Sequence, residues 1–172
     1  FARTATAKST SNLYVMATDG SHVRLLVRNA ASAAVSPDGR RIAFVRADAI
    51  WLMLRDSSGQ HALTKPKTQS DFDPAWSPDG RTVFFSRRLT PYSYAIFATR
   101  DDGSELRRLT KGTTADEGGQ QSASPSPDGR IVAYTDYWYA HAFEGSVIAA
   151  MTTTCRLVTL PFRLASGIDA PP

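Results

Sequence analysis

Apolar residues along the chain recur in short alternating runs and show no helical spacing of three or four. Two β-rich runs follow one another in each of three stretches of the chain. Gly, Pro, Asp and Ser residues separate these runs from their neighbours. The first runs are residues 41–45, 82–86 and 131–135, and the second runs are residues 50–54, 95–99 and 146–150. Alternating runs of this length between turn residues are typical of β-strands, so the pattern predicts an all-β protein.

A repeated pentapeptide divides the chain into similar units. Ser-Pro-Asp-Gly-Arg occurs three times, beginning at Ser36, Ser77 and Ser126, so the copies start 41 and 49 residues apart. Each copy precedes the two β-rich runs, and a polar turn and a short fourth strand close the unit, as in Leu106 to Thr110. Four short strands at this spacing are typical of β-propeller blades. The sequence therefore predicts a β-propeller of four-stranded antiparallel blades.

The chemistry of Ser-Pro-Asp-Gly is that of a tight turn. Proline presets φ for the second turn position, aspartate hydrogen-bonds the nearby backbone, and glycine adopts the left-handed conformation. We therefore interpret the most repeated residues as structural and not catalytic: Pro37, Asp38, Gly39, Pro78, Asp79, Gly80, Pro127, Asp128 and Gly129.

Three stretches of the sequence point to a known family. The run Pro74 to Arg81, the run Leu13 to Gly20 and the ending Arg108-Leu109-Thr110 resemble the WD-like repeats of TolB-type β-propellers. The resemblance covers nearly the whole chain, although Val35 and Pro125 stand at the position of Trp76. It implies a binding module of the bacterial cell envelope, in the periplasm or outside the cell.

The repeat also predicts where the blades begin and end. We expect a half blade over residues 1–29, a lead-in to a further blade over residues 161–172, and whole blades at about 30–64, 71–110 and 120–160. About three and a half blades make an incomplete ring, since propellers have at least four. We expect the remaining blades to lie elsewhere in a longer parent chain, or the ring to be completed by self-association.

Differences in loop length are concentrated on one face of the predicted propeller. Residues 89–94, 111–121 and 136–145 lengthen the second-to-third strand loops and a blade-to-blade connection. Binding residues collect on such loops, which makes this face the candidate site. Its candidate binding residues are Tyr92, Tyr94, Asp116, Glu117, Tyr137, Trp138, Tyr139, His141 and Glu144. Two alternatives stay open: the aromatic residues 137–143 pack on their own neighbouring blade, and the acidic pair 116–117 is simply solvated.

Composition and charge exclude several classes of function. The 20 basic residues exceed the 16 acidic ones by four but are scattered, whereas nucleic-acid binders concentrate them on one face. No apolar run is long enough for a membrane helix. Cys155 is alone, so we predict no disulfide and no thiolate metal site. We therefore expect no nucleic acid, no membrane insertion, no cofactor and no metal.

No catalytic motif stands out in the sequence, since it has no Gly-x-Ser-x-Gly, Walker or His-Glu-x-x-His pattern. The leading hypothesis is a non-catalytic propeller that presents its loop-rich face to a protein or peptide partner. One alternative is the propeller segment of a serine peptidase of the prolyl oligopeptidase family, which gates substrates to a hydrolase domain. Another is a propeller lyase or hydrolase with a central metal.

Overall fold

The computed structural model describes residues 11–90, 93–111, 118–140, 143–152 and 157–159, from residue 137 onward by backbone pairing alone. Every regular element in these residues is a β-strand, which confirms the predicted all-β class. The strands are β1 (Leu13–Val15), β2 (Arg24–Val27), β3 (Ala31–Val35), β4 (Arg41–Arg46), β5 (Ala49–Leu54), β6 (His61–Ala62), β7 (Ser70–Trp76), β8 (Thr82–Thr90), β9 (Ser93–Arg100), β10 (Arg107–Arg108), β11 (Gly118–Pro125), β12 (Ile131–Ala140), β13 (Phe143–Thr152) and β14 (Leu157–Thr159).

The strands pair in chain order, each antiparallel to the next within its unit. Strands β1 and β2 form a half blade, and β3–β6 form a four-stranded sheet that we name blade A. Strands β7–β10 form blade B, and β11–β14 form blade C. The predicted four-stranded antiparallel units are thereby confirmed.

The apolar core lies between blades, because alternate residues of each strand face opposite neighbours. Ile42 and Phe44 of β4 pack with the half blade, whereas Ala43 packs with Val83 and Phe85 of blade B. Phe84 faces the other way and packs against blade C. Blades A and B are thus buried on two faces, which explains why their central strands are apolar in consecutive positions.

Each first strand contains one β-bulge. The register of β3, β7 and β11 shifts at a residue with left-handed backbone: Ser32 (φ 45°), Asp73 (φ 49°) and Ser122 (φ 57°). All three residues lie four positions before the serine of their Ser-Pro-Asp-Gly turn. A bulge bends its strand and increases the local twist, so the first strand of every blade changes direction at the same repeat position.

Candidate functional site

The Ser-Pro-Asp-Gly turns form one end of the blades and use their polar groups locally. In each turn the serine hydroxyl donates to the aspartate carboxylate, at 2.6 Å in blade A and 2.5 Å in blades B and C. It also accepts from the N–H of the residue five positions later. These serine hydroxyls, followed by backbone N–H groups, hold the pKa of Asp38, Asp79 and Asp128 below the usual value. The glycines Gly39, Gly80 and Gly129 have φ of 69°, 67° and 70°.

At the opposite end, two predicted loops are strands instead. Strand β8 continues to Thr90 and β9 begins at Ser93, while β12 continues to Ala140 and β13 begins at Phe143. The described residues of 89–94 and 136–145 therefore lengthen paired hairpins, with one register shift between Arg88 and Thr90. Part of the predicted connection 111–121 is likewise strand, since β11 begins at Gly118. Continued pairing satisfies backbone donors and acceptors that a loop would leave to water.

The extended hairpins position five of the candidate binding residues. Tyr94 lies near the start of β9, while Tyr137, Trp138 and Tyr139 lie near the end of β12. Glu144 lies on β13 and pairs with Tyr139, and Trp138 pairs with Gly145. The backbone thus brings four candidates together on one hairpin. Tyr92, Asp116, Glu117 and His141 lie outside the described residues.

Blade C begins directly against the hairpin of blade B. Gly118 and Gly119 run parallel to Ser93 and Tyr94, which joins the two blades into one sheet. A β-carbon at Gly119 would collide with the backbone nitrogen and oxygen of Tyr94, so the approach requires glycine. The start of β11 is therefore fixed beside a predicted site residue.

A groove of about 310 Å³ opens at this hairpin end, and we name it the hairpin groove. The ring of Tyr94 meets that of Phe72 edge-on, with centroids 5.7 Å apart and an interplanar angle of 89°. Arg88 is exposed, and its Nη2 donates to Ser70 Oγ at 2.9 Å. The groove is lined by Asp48, Ser70, Phe72, Arg88, Tyr94 and Gln121.

Sequence reasoning found one lining residue of the hairpin groove, Tyr94, and missed the other five. A signal existed for two of them. Phe72 and Gln121 each lie five residues before a Ser-Pro-Asp-Gly serine, so the repeat places them at equivalent points of neighbouring blades. Asp48 carried no comparable signal, because it reaches the groove from a turn of blade A.

The first two strands of blades B and C carry polar pairs at one equivalent position. In blade B, Arg87 donates through Nε and Nη2 to the two carboxylate oxygens of Asp71, at 2.5 and 2.8 Å. In blade C, Gln120 Nε2 donates to Asp136 Oδ1 at 2.8 Å. Burial raises the pKa of Asp136, and the hydrogen bond from Gln120 opposes that rise.

Among the side chains that the structure describes, no three His, Cys, Asp or Glu residues come together as metal ligands. The same part of the chain contains no helix that could cross a membrane.

Comparison with known sequences yields partial relatives, and no family model matches the chain. It is 31% identical to an uncharacterized protein of Agrobacterium fabrum over 133 residues, 74% of this chain and 43% of that protein. It is 31% identical to the uncharacterized peptidase YuxL of Bacillus subtilis over 85 residues, 44% of this chain and 13% of YuxL. The chain spans less than half the length of either relative.

Solved structures decide the fold. A putative TolB from Agrobacterium tumefaciens superposes with a TM-score of 0.70 at 24% identity, over 90% of this chain and 57% of that one. TolB from Acinetobacter baumannii superposes with a TM-score of 0.69 at 21% identity, over 88% of this chain and 38% of that one. The chain has a TolB-like β-propeller fold. The resemblance predicted from the sequence, including an incomplete ring, is thus confirmed.

The TolB-like propeller is also similar to part of a peptidase. A puromycin-hydrolyzing peptidase from Mycobacterium tuberculosis superposes with a TM-score of 0.59 at 16% identity, over 84% of this chain and 24% of that one. The same fold thus occurs in the TolB proteins and in part of a peptidase. The fold does not by itself distinguish a binding module from a segment of a peptidase.

Proposed function

We propose that this chain belongs to a non-catalytic binding module that holds a protein or peptide partner in the hairpin groove. The observation that carries the proposal is the groove itself, where Phe72 and Tyr94 form an aromatic wall beside the exposed Arg88. Tyrosine and arginine are enriched among the residues that dominate binding energy at interfaces. A rigid pair of this kind loses little conformational entropy on binding.

The polar lining suits an extended peptide. Arg88 and Asp48 bring opposite charges to the groove, and Gln121 adds an amide that can both donate and accept. A peptide backbone needs donors and acceptors together, whereas a purely apolar ligand would leave these groups unpaired. As a further part of the proposal, we place the protein in the periplasm or outside the cell, by its resemblance to TolB.

The test uses linear 12-residue peptides selected by phage display on the immobilised chain. We expect Tyr94→Ala to weaken the selected peptides by about tenfold or more, which corresponds to about 1.4 kcal/mol. The matched control is Tyr14→Ala, since Tyr14 is 61% exposed on the half blade, away from the groove. If no peptide is selected, or if both variants bind equally well, the groove is not the binding site.

A second function is favoured by the relatives, namely a propeller segment of a serine peptidase that gates substrates. The match to YuxL and the likeness to the puromycin-hydrolyzing peptidase support it. The full-length gene distinguishes the two. A Gly-x-Ser-x-Gly motif between a strand and a helix beyond Pro172 would favour the peptidase, whereas further propeller repeats without it would favour the binding module.

A further inference from the structure

One position in the repeat carries a different polar pair in blades B and C. In these blades the residue six before the Ser-Pro-Asp-Gly serine pairs directly with the residue ten after it. In blade B these residues are Asp71 and Arg87, which are 1% and 9% exposed and form a two-pronged ion pair. The buried carboxylate there is fully matched by a guanidinium.

Blade C has the acceptors of this arrangement without its cation. Gln120 replaces the aspartate and Asp136 replaces the arginine. Gln120 is 7% exposed, and its buried Oε1 has no hydrogen-bond partner. Asp136 is half-buried, and no described side chain forms an ion pair with it.

Both features are unfavourable, because a buried acceptor loses its bonds to water and a half-buried carboxylate loses part of its hydration. A single group that carries positive charge and several N–H donors would relieve both. A guanidinium has five donors in one plane and can reach an amide oxygen and a carboxylate together. A Ca²⁺ ion needs six or more oxygen ligands, and the described residues bring no group of three His, Cys, Asp or Glu side chains together at this point.

We propose that Gln120 and Asp136 bind the guanidinium of an arginine on the partner that occupies the hairpin groove. This inference rests on the proposed function and adds the chemistry of the partner. The two sites adjoin, since Gln121, the residue after Gln120, lines the groove, and Gly119, the residue before it, pairs with Tyr94 of the groove. The half-buried Asp136 leaves its carboxylate reachable from solvent.

The first experiment titrates Nα-acetyl-L-arginine amide into the isotopically labelled chain and follows it by NMR. We expect saturable shifts of the Gln120 side-chain amide and the Asp136 backbone amide. Nα-acetyl-citrulline amide has nearly the same shape without the charge, and it should bind at least about tenfold more weakly. Equal binding of both compounds would overturn the proposal. So would shifts of the same signals with KCl or CaCl₂ and none with the arginine compound.

Variants test whether Gln120 and Asp136, and not another acidic residue of the surface, bind the arginine compound. Asp136→Asn should weaken the arginine compound by about tenfold or more, whereas Asp102→Asn, in an exposed turn between β9 and β10, should leave its affinity unchanged. The double variant Gln120→Asp/Asp136→Arg copies the ion pair of blade B and should fold but no longer bind. Retained binding by this variant would overturn the proposal even if Asp136→Asn failed to fold.

The two proposals fail differently. If the selected peptides depend on Tyr94 but bind the double variant as well as the unchanged chain, the arginine site is wrong and the groove stands. If the arginine compound binds at Gln120 and Asp136 while no peptide depends on Tyr94, the proposed function is wrong.

Discussion

Replacing Asp71 with alanine would leave the guanidinium of Arg87 buried without its carboxylate. Arg87 is 9% exposed and lies over the rings of Phe85 and Phe97, at 5.3 and 4.8 Å from their centroids. Removing one partner of such a buried pair costs about 3–5 kcal/mol, because the remaining charge cannot regain water. We expect this loss in the free energy of unfolding, measured by urea denaturation with circular dichroism.

Replacing both partners should cost much less. In Asp71→Val/Arg87→Met no charge is buried, and the methionine keeps an apolar contact with the two rings. We expect this double variant to lie within about 1 kcal/mol of the unchanged chain, since apolar replacements of buried pairs are often neutral. Glu105→Ala is the control, because its ion pair with Arg100 is half exposed and should change stability little. If the double variant is as unstable as Asp71→Ala, uncompensated charge is not the cause.

Three further predictions concern the turns, the contact between β9 of blade B and β11 of blade C, and the β12–β13 hairpin. Six turn aspartates have a pKa lowered by a serine hydroxyl and then by a backbone N–H, namely Asp19, Asp38, Asp56, Asp79, Asp102 and Asp128. The stability that these ionised carboxylates contribute is complete above the usual pKa of 3.8 and is lost as the pH falls through the lowered values. Urea denaturation from pH 7 to pH 2.5 should show this loss in the free energy of unfolding. Burial raises the pKa of Asp136, so its charge destabilises the fold at neutral pH. Asp136→Asn should therefore raise the free energy of unfolding at pH 7. Gly119→Ala should destabilise the chain by about 1–3 kcal/mol, because the added carbon meets the Tyr94 backbone. Gly39→Ala, with nothing within 4 Å of the added carbon but φ of 69°, gives the cost of backbone strain alone. Unchanged stability in Gly119→Ala would argue against the close approach. Tyr137→Ala/Trp138→Ala should weaken binding of the selected peptides, because both residues lie on the extended β12–β13 hairpin. Unchanged affinity in the same binding assay would remove this hairpin from the site.

The repeat made the blade architecture predictable, because turn chemistry is local. Ser, Pro, Asp and Gly each have a physical reason to occupy one turn position, and three copies at blade spacing leave few other folds. The lengths of the hairpins were not predictable in this way. Residues 89–94 contain Pro91 and polar side chains, which are typical of loops. The pairing of Ser93 and Tyr94 with β8 and with the first strand of blade C shows that they are strand.

The hairpin groove was harder to predict because its residues come from three blades. Asp48 lies in a turn of blade A, Phe72 and Arg88 lie in blade B, and Gln121 lies in blade C. The abundance of aromatic residues singles out individual segments of the chain. The groove is formed where segments of different blades meet, and the sequence does not show which segments these are. Lining up the three repeats by their serines does reveal Phe72 and Gln121, and the same comparison reveals Gln120 and Asp136.

The position ten residues after each turn serine shows how equivalent backbones acquire different chemistry. In blade A, Arg46 finds Ala30 in place of a carboxylate, and its guanidinium lies over Phe44 and Trp51 instead, at 5.1 and 5.2 Å. In blade B the arginine is neutralised within its own sheet, and in blade C the charge at this position is reversed. The backbone pairing tolerates all three because strand hydrogen bonds do not depend on the side chain. We therefore expect recognition by this repeated scaffold to reside where its repeats differ, and among the described side chains the buried acceptor without a partner lies in blade C.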